Sequence, residues 1–256
     1  MLGLAFFETG HQLVYCLGLV AGRFKVGFES KWHKPLIIPH SPFVLVVYNE
    51  GTMKQAIIFL NGDLADASGV KQEIKKTDLV IAADGGSKLA QKLGITPDLV
   101  VGDLDSYTGS KKIKTIPYPK DKDFTDSELA IDYALKQKVI RLVIVGLLGR
   151  RFDHLASNLM LAATLAAKGI KVEAVEGKQR LYFLSSRINL EGNPGDIVSL
   201  TPLKSNVKVT TRGLKWKLQG STLKFGYGRG VSNVMTAKKV SLSVRRGILL
   251  VVHSRQ

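Results

Sequence analysis

Residues 78–86 read DLVIAADGG, and the run of residue types in that stretch decides the fold. Leu79 to Ala83 are apolar without a break, so they show neither the alternation of a half-exposed strand nor the spacing of a surface helix. They read as a strand buried on both faces. Asp84-Gly85-Gly86 then closes the run as a turn, and Ser87 to Leu93 beyond it has helical character. The same phrase recurs along the chain. Gln55 to Leu60 (QAIIFL) ends in Asn61-Gly62-Asp63, Pro97 to Val101 (PDLVV) in Gly102-Asp103-Leu104-Asp105-Ser106, and Arg141 to Val145 (RLVIV) in Gly146 and Gly149. Apolar strands separated by helical segments predict an α/β fold with a parallel sheet covered on both faces. Ligands of such sheets bind beyond the carboxyl ends of the strands, where all of these Gly/Asp turns fall.

Two helices stand out between the strands. In Thr125 to Lys136 (TDSELAIDYALK), Thr125 and Glu128 form a T-x-x-E capping box, and Leu129 and Tyr133 share one face. Asp153 to Lys168 ends at Gly169, a C-cap candidate. After about Gly177 the texture changes to short alternating runs, Ile197 to Thr201, Val207 to Thr211 and Val240 to Val244, which predict a small antiparallel β-sandwich. A domain boundary is expected near residue 180, with 53–180 as the α/β domain, 181–256 as the sandwich and 1–52 as an extension.

At 256 residues, with 45% hydrophobic and 23% charged, the chain has the composition of a folded protein and not of a disordered or fibrous one. The uncharged stretch between Glu8 and Arg23 is shorter than the roughly 20 residues a bilayer helix needs. The first charged residue is acidic where a secretory signal wants a basic one, so a cytoplasmic protein without a membrane partner is expected. Cys16, the single cysteine, cannot form an internal disulfide. Of the net charge of +16, residues 133–256 carry 22 basic against 5 acidic groups, whereas residues 54–132 carry 11 against 13. That asymmetry suits carboxylates that gather a metal ion beside cationic walls that attract a polyanion such as a nucleotide phosphate. A solubilising surface or nonspecific nucleic-acid affinity would produce it too; no motif of dedicated nucleic-acid recognition is present.

The acidic residues cluster in two places. Asp103 and Asp105, two apart at a strand end, are expected to leave the backbone on one side and form a hard-cation site. Asp121, Asp123 and Asp126 follow in the tract YPKDKDFTDSE, with Lys122 between them as either a solvated lysine or a phosphate ligand. Singly, each aspartate also reads as a turn former or helix N-cap. Asp84 with Gly85 and Gly86 offers an acceptor next to backbone that a ligand can approach closely. Gly149-Arg150-Arg151-Phe152-Asp153-His154 brings cations suited to phosphoryl oxygens to another strand-to-helix turn. There Asp153 also reads as an N-cap, and His154 as a satisfied polar contact.

In sequence these pieces run NGD, ADGG, GDLDS, DKDxTDxE, G-x-x-G-x-R-x-D-H, then SLTPL, TRGLKWKL, GVSN and a terminal GILLVV. The series, from about Lys54 to Val252, resembles the thiamine pyrophosphokinase family. What the resemblance implies is a homodimer of an α/β nucleotide domain and a β-sandwich, which transfers pyrophosphate from ATP to thiamine with Mg2+ and releases AMP. It implies Asp103, Asp105 and Asp126 as magnesium and catalytic carboxylates, with Asp121 and Asp123 nearby and Arg151 and Asp153 in the R-x-D-H part. Asn61, Gly62, Asp84, Gly85, Gly86, Lys122, Asp123 and Thr125 would face the nucleotide, and Ser232 and Asn233 the thiamine. Trp216 or Tyr227 is a candidate to stack on the thiamine cation, although Trp216 also suits a sandwich core. The chain departs from the resemblance at Arg150, where the family has glycine. A basic nucleic-acid-binding module and a transferase acting on another alcohol are the rival readings, and the clustered aspartates disfavour the first. Residues 1–52 fit no part of the resemblance, and Met53, just before the first predicted strand, is the expected start of translation, with a small accessory element on the sandwich or a targeting peptide as the alternative.

Overall fold

The computed structural model describes residues 4–9, 12–17, 48–49, 55–64, 66–75, 77, 79–105, 107, 112–149 and 151–256. Met53 as a start, Arg150 and Ser106 lie outside them. The chain divides into two units, Met1–Met53 and Lys54–Gln256. In the first, β1 (Leu4–Thr9), β2 (Gln12–Leu17) and β3 (Tyr48–Asn49) form an antiparallel sheet in that order.

The second unit opens with the predicted parallel sheet. Its strands are β4 (Gln55–Phe59), β5 (Leu79–Ala83), β6 (Leu99–Gly102), β7 (Lys114–Pro117), β8 (Arg141–Val145) and β9 (Lys171–Glu176), all parallel in the order β9-β8-β4-β5-β6-β7. Helices α1 (Ser68–Ile74), α2 (Gly86–Lys92), α3 (Asp126–Lys136) and α4 (Phe152–Ala167) lie between them. Alternate residues of one strand enter opposite cores. Ala56 and Ile58 pack with Ala130, Ile131 and Ala162 of α3 and α4, whereas Ile57 and Phe59 pack with Val70, Leu89 and Ala90 of α1 and α2. Burial on both faces is why β4 and β5 read as uninterrupted apolar runs. Each Ile, Val, Leu or Phe side chain so withdrawn from water contributes roughly 1.5 to 3 kcal/mol.

Three elements carry no clear signal in the sequence. β7 is an edge strand with exposed Lys114 and Pro117 at its ends, α1 is seven residues long, and β9 alternates. Arg141, at the start of β8, and Arg180, in β10 (Gln179–Leu184), both pair with Glu73 of α1 and Glu173 of β9. Burial alone would raise the Glu73 carboxyl, but the two guanidiniums hold it below its ordinary range.

The predicted sandwich is present, and one of its layers continues the parallel sheet. β10 turns back antiparallel on β9 and is followed across the sheet by β17 (Leu249–Ser254), β12 (Ile197–Pro202) and β15 (Asn233–Val234). The second layer is a four-stranded antiparallel sheet, β11 (Arg187–Glu191), β16 (Lys239–Arg245), β13 (Val207–Arg212) and β14 (Ser221–Leu223), in that order. Leu200, Val209, Leu214, Leu242 and Val251 fill the space between the layers. Residue 180 therefore falls inside β10, in a hydrogen-bonded strand and not in a linker.

Candidate functional site

The carboxyl ends of β4, β5, β6 and β8 deliver their turns to one edge of the sheet, and close backbone approach holds those turns together. A Cβ on Gly62 would stand 2.1 Å from the Gly146 carbonyl oxygen, so the turn after β4 meets the turn after β8 only because position 62 lacks a side chain. An isolated bridge between Gly62 and Gly149 extends the contact. Asn61 lies over Gly85, whose added Cβ would stand 2.5 Å from the Asn61 Cγ.

Asp84 anchors the acidic part. Its backbone sits at φ +39, its N–H donates to the Val101 carbonyl at 2.8 Å, and its own carbonyl accepts from the Ser87 hydroxyl at 2.7 Å. The carboxylates of Asp84, Asp103 and Asp105 offer oxygens that all lie within 4.8 Å of one another. Burial pushes the Asp84 carboxyl above its usual range, and the charges of Asp103, Asp126 and Asp105 push it further in the same direction. Its Oδ1 is buried without a hydrogen-bond partner. Asp126, the first residue of α3, adjoins this group across Gly102: a Cβ there would stand 2.9 Å from the Asp84 Cβ and 3.1 Å from the Asp126 Cγ, at a φ of +146.

Asp103 and Asp105 meet, but not by the geometry of a continuing strand. β6 stops at Gly102, Leu104 turns through φ +61, and the Asp105 N–H donates to Asp103 Oδ1 at 3.2 Å, so a turn and not a pleat brings the carboxylates together. Lysines lie on the acidic groups. Lys120 pairs with Asp105, while Lys122 stands 3.0 Å from Asp126 Oδ1, off the direction of a hydrogen bond, and donates to the Pro119 carbonyl. Asp121 and Asp123 are exposed on the loop into α3 and stand outside the three-carboxylate group. Thr125 caps α3: its hydroxyl accepts from the Glu128 N–H at 3.2 Å, and its N–H donates to Glu128 Oε2 at 2.8 Å.

Arg151 and Asp153 form an exposed ion pair at the start of α4, which holds the Asp153 carboxyl below the usual range. Asp153 is not the N-cap. Arg151 occupies that position without a side-chain cap, because a guanidinium has no acceptor to offer a helix N–H, and Asp153, already inside the first turn, pairs with it.

In the sandwich, Trp216, Arg229, Val231, Ser232 and Asn233 line an open cavity of about 310 Å³. Trp216 is 55% exposed, so it is not sandwich core. Asn233 is buried: Oδ1 accepts from the N–H groups of Trp216 and Val234, and Nδ2 donates to the Trp216 carbonyl at 2.8 Å, which makes it the clamp that fixes the Trp216 segment. Ser232 is exposed at φ +61, with its N–H on the Ser199 hydroxyl.

Two contributors differ from the sequence reading. Asp84, expected to face the nucleotide, lies among the acidic groups. Glu176, which the motifs do not include, is buried at the end of β9, accepts from the N–H groups of Leu147 and Leu148 and thereby holds the turn after β8. The available signal is slight, a glutamate followed at once by Gly177.

Comparison with known proteins agrees with this layout. The family model described as thiamin pyrophosphokinase, catalytic domain, matches residues 70–174, and that of the vitamin B1 binding domain of the same family matches residues 185–249. Thiamine pyrophosphokinase of Bacillus subtilis (strain 168) is 27% identical over 186 residues, 69% of this chain and 87% of the relative. Thiamin pyrophosphokinase 1 of Caenorhabditis elegans is 25% identical over 211 residues, 75% and 86% of the two chains. Among solved structures, the Bacillus subtilis enzyme superposes with a TM-score of 0.68 at 24% identity over 79% of this chain and 100% of that one. Thiamin pyrophosphokinase from Candida albicans gives 0.64 at 14% identity over 79% and 89%. The catalytic-domain match takes in the strand-end aspartates and the second match takes in the sandwich behind them, and the chain belongs to the thiamine pyrophosphokinase family.

Proposed function

We propose that the chain is a thiamine diphosphokinase, which transfers the pyrophosphoryl group of ATP to the hydroxyl of thiamine and yields thiamine diphosphate and AMP. The observation that carries this reading is the group of three carboxylates, Asp84, Asp103 and Asp105, on the ends of two adjacent parallel strands in a chain of this family. The donor set fits magnesium: all ligand atoms are hard oxygens, and the buried Asp84 Oδ1 lacks a protein partner. Asp84, Asp103 and Asp105 would hold the ion, with Asp126 beside them. A cation bound there supplies neutralisation of the charge on the phosphate oxygens.

The chain's own groups do the remaining work. The thiamine hydroxyl oxygen forms a bond to the β-phosphorus as the bond from that phosphorus to the oxygen bridging it to the α-phosphorus breaks, and AMP departs with that oxygen. The hydroxyl proton passes to a carboxylate, for which Asp126 is better suited than the exposed Asp123, since its Oδ1 is buried and not engaged by a directed donor. Lys122 and Arg151 are the cations proposed for phosphate oxygens, and Asn61, Gly62, Gly85 and Gly86 form the backbone edge on which the nucleotide lies. Thiamine is assigned to the cavity at Trp216 and Ser232, where the exposed indole offers a face to a cationic ring. The protein is proposed to act as a cytoplasmic homodimer; among the described residues no helix is long and apolar enough to cross a membrane.

AMP release measured with and without thiamine tests the activity directly. Release that depends on thiamine and Mg2+ supports it, and release unaffected by thiamine points to another acceptor. Asp103→Asn keeps an oxygen that can accept from the Asp105 N–H but loses the charge. It is expected to lower turnover on the order of a hundredfold or more while leaving circular dichroism unchanged. Near-normal turnover at low Mg2+ would overturn the metal assignment.

A further inference from the structure

The outward positions of the four-stranded sheet carry a charge pattern that neither the proposed reaction nor the stability of the sheet accounts for. Arg187, Asn189 and Glu191 of β11, Lys239, Ser241, Ser243 and Arg245 of β16, Lys208, Thr210 and Arg212 of β13, and Thr222 of β14 alternate with the buried residues of those strands. The ladder registers assemble them into one surface. Arg245 pairs across the strands with Lys208, and Lys208 with Thr222; Ser243 faces Arg187 on one side and Thr210 on the other; Ser241 faces Asn189 and Arg212. Glu191, the one acidic group on this face, is taken by Lys239 at 3.5 Å. Among the described residues, Arg187, Lys208, Arg212 and Arg245 enter no ion pair.

Like charges directly opposite each other on neighbouring strands destabilise a sheet, so the Lys208 and Arg245 pair is unfavourable unless an anion lies over it. A second copy of the same face does not supply one, because a two-fold contact would set these cations against themselves. An anionic membrane is a poor match as well, since no outward position on these strands holds an apolar or aromatic side chain to enter the interface. Single-stranded nucleic acid binds through bases stacked on aromatic rings, which the outward positions of these strands also lack. What the surface does offer is guanidinium, ammonium, hydroxyl and amide groups, the set that contacts phosphate and sugar. It measures about 14 by 20 Å from strand spacing and rise, enough to meet about six of the roughly 12 phosphate charges on that length of duplex, those on the side that faces it. We propose that the outer face of β11-β16-β13-β14 binds the backbone of double-stranded nucleic acid without reading its sequence.

The test is fluorescence anisotropy of DNA and RNA duplexes of about 20 base pairs titrated with the full chain from about 50 to 300 mM salt. Four free cations predict a slope of log affinity against log salt of about −3 to −4. The triple variant R187E/K208E/R245E is expected to bind at least about tenfold more weakly at roughly 150 mM salt, with a slope near about −1. Its turnover of thiamine should equal that of the wild type, which also shows that it folds; if it does not, R245Q/K208Q serves in its place. A control, K71E/K75E/K168E, removes as much charge from exposed positions elsewhere and should leave duplex binding nearly intact. Equal loss in the control, no duplex binding at about 100 mM salt, or binding of phosphatidylserine vesicles in preference to either duplex would overturn the proposal. Binding in either the DNA or the RNA arm supports it, and a difference between the arms identifies which duplex the face prefers.

Discussion

Glu176 is buried where its carboxylate can accept two backbone N–H groups, and burial outweighs those bonds, raising it to about 7. A carboxyl raised on folding favours the folded state while it stays protonated. Its contribution is therefore complete below about pH 4.5 and is lost as pH rises through about 7, a span worth about 3 kcal/mol. Glu176→Gln keeps an acceptor for the turn and removes the titrating proton, so urea midpoints of the variant and the wild type should diverge between about pH 4.5 and 8, with the wild type losing ground as pH rises. Parallel curves would show that Glu176 does not titrate in this range. In the sandwich, Ser232→Ala removes only a hydroxyl from the rim of the Trp216 cavity, because the Ser232 contact with Ser199 is through its backbone. Calorimetry should show thiamine affinity falling about three- to tenfold with ATP affinity unchanged, as for one hydrogen bond of about 1 kcal/mol. Equal weakening of both ligands would remove Ser232 from the thiamine side.

At the level of the element, α3 matters most, because its cap both starts the helix and presents Asp126. The reciprocal bonds between Thr125 and Glu128 follow from the T-x-x-E spacing, since a capping box is a local device that needs only four consecutive residues. Thr125→Ala removes the side-chain acceptor for the Glu128 N–H and is expected to destabilise the protein by about 1 kcal/mol, or roughly 2 to 4 °C in Tm. Turnover should fall more than Tm alone explains, since Asp126 follows directly; an unchanged kcat would separate the cap from the site. α4 shows the limit of such local reading. Asp153 has the residue type of an N-cap, yet the helix starts one residue earlier, so Asp153 falls inside the first turn and pairs with Arg151. The strand β7 escapes for another reason: an edge strand with charged or imino residues at its ends buries too little to leave an apolar run.

Across the whole molecule, every residue assigned to the reaction lies between Asn61 and Asn233, inside the unit Lys54–Gln256. A chain shortened to begin at Met53 is expected to fold and to turn over ATP and thiamine at the wild-type rate, and a fall of more than about 5 °C in Tm would show that residues 1–52 support the core. Sequence alone determined the parallel sheet, the edge at which its Gly/Asp turns gather, and the acidic character of that edge. Those follow from unbroken apolar runs, from Gly/Asp turns at their ends and from caps, all of which act over a few neighbouring residues. Tertiary structure decided which carboxylates share a site. Asp84 joins Asp103 and Asp105 because β5 and β6 are adjacent and in register, while Asp121 and Asp123, closer in sequence to Asp126, stay in solvent. It also decided that the sandwich grows out of the parallel sheet through β10, and that Lys208 and Arg245, on strands far apart in the chain, oppose each other on one face. Pairing between strands distant in sequence depends on long-range burial and register, which leave no mark at the individual residues they bring together.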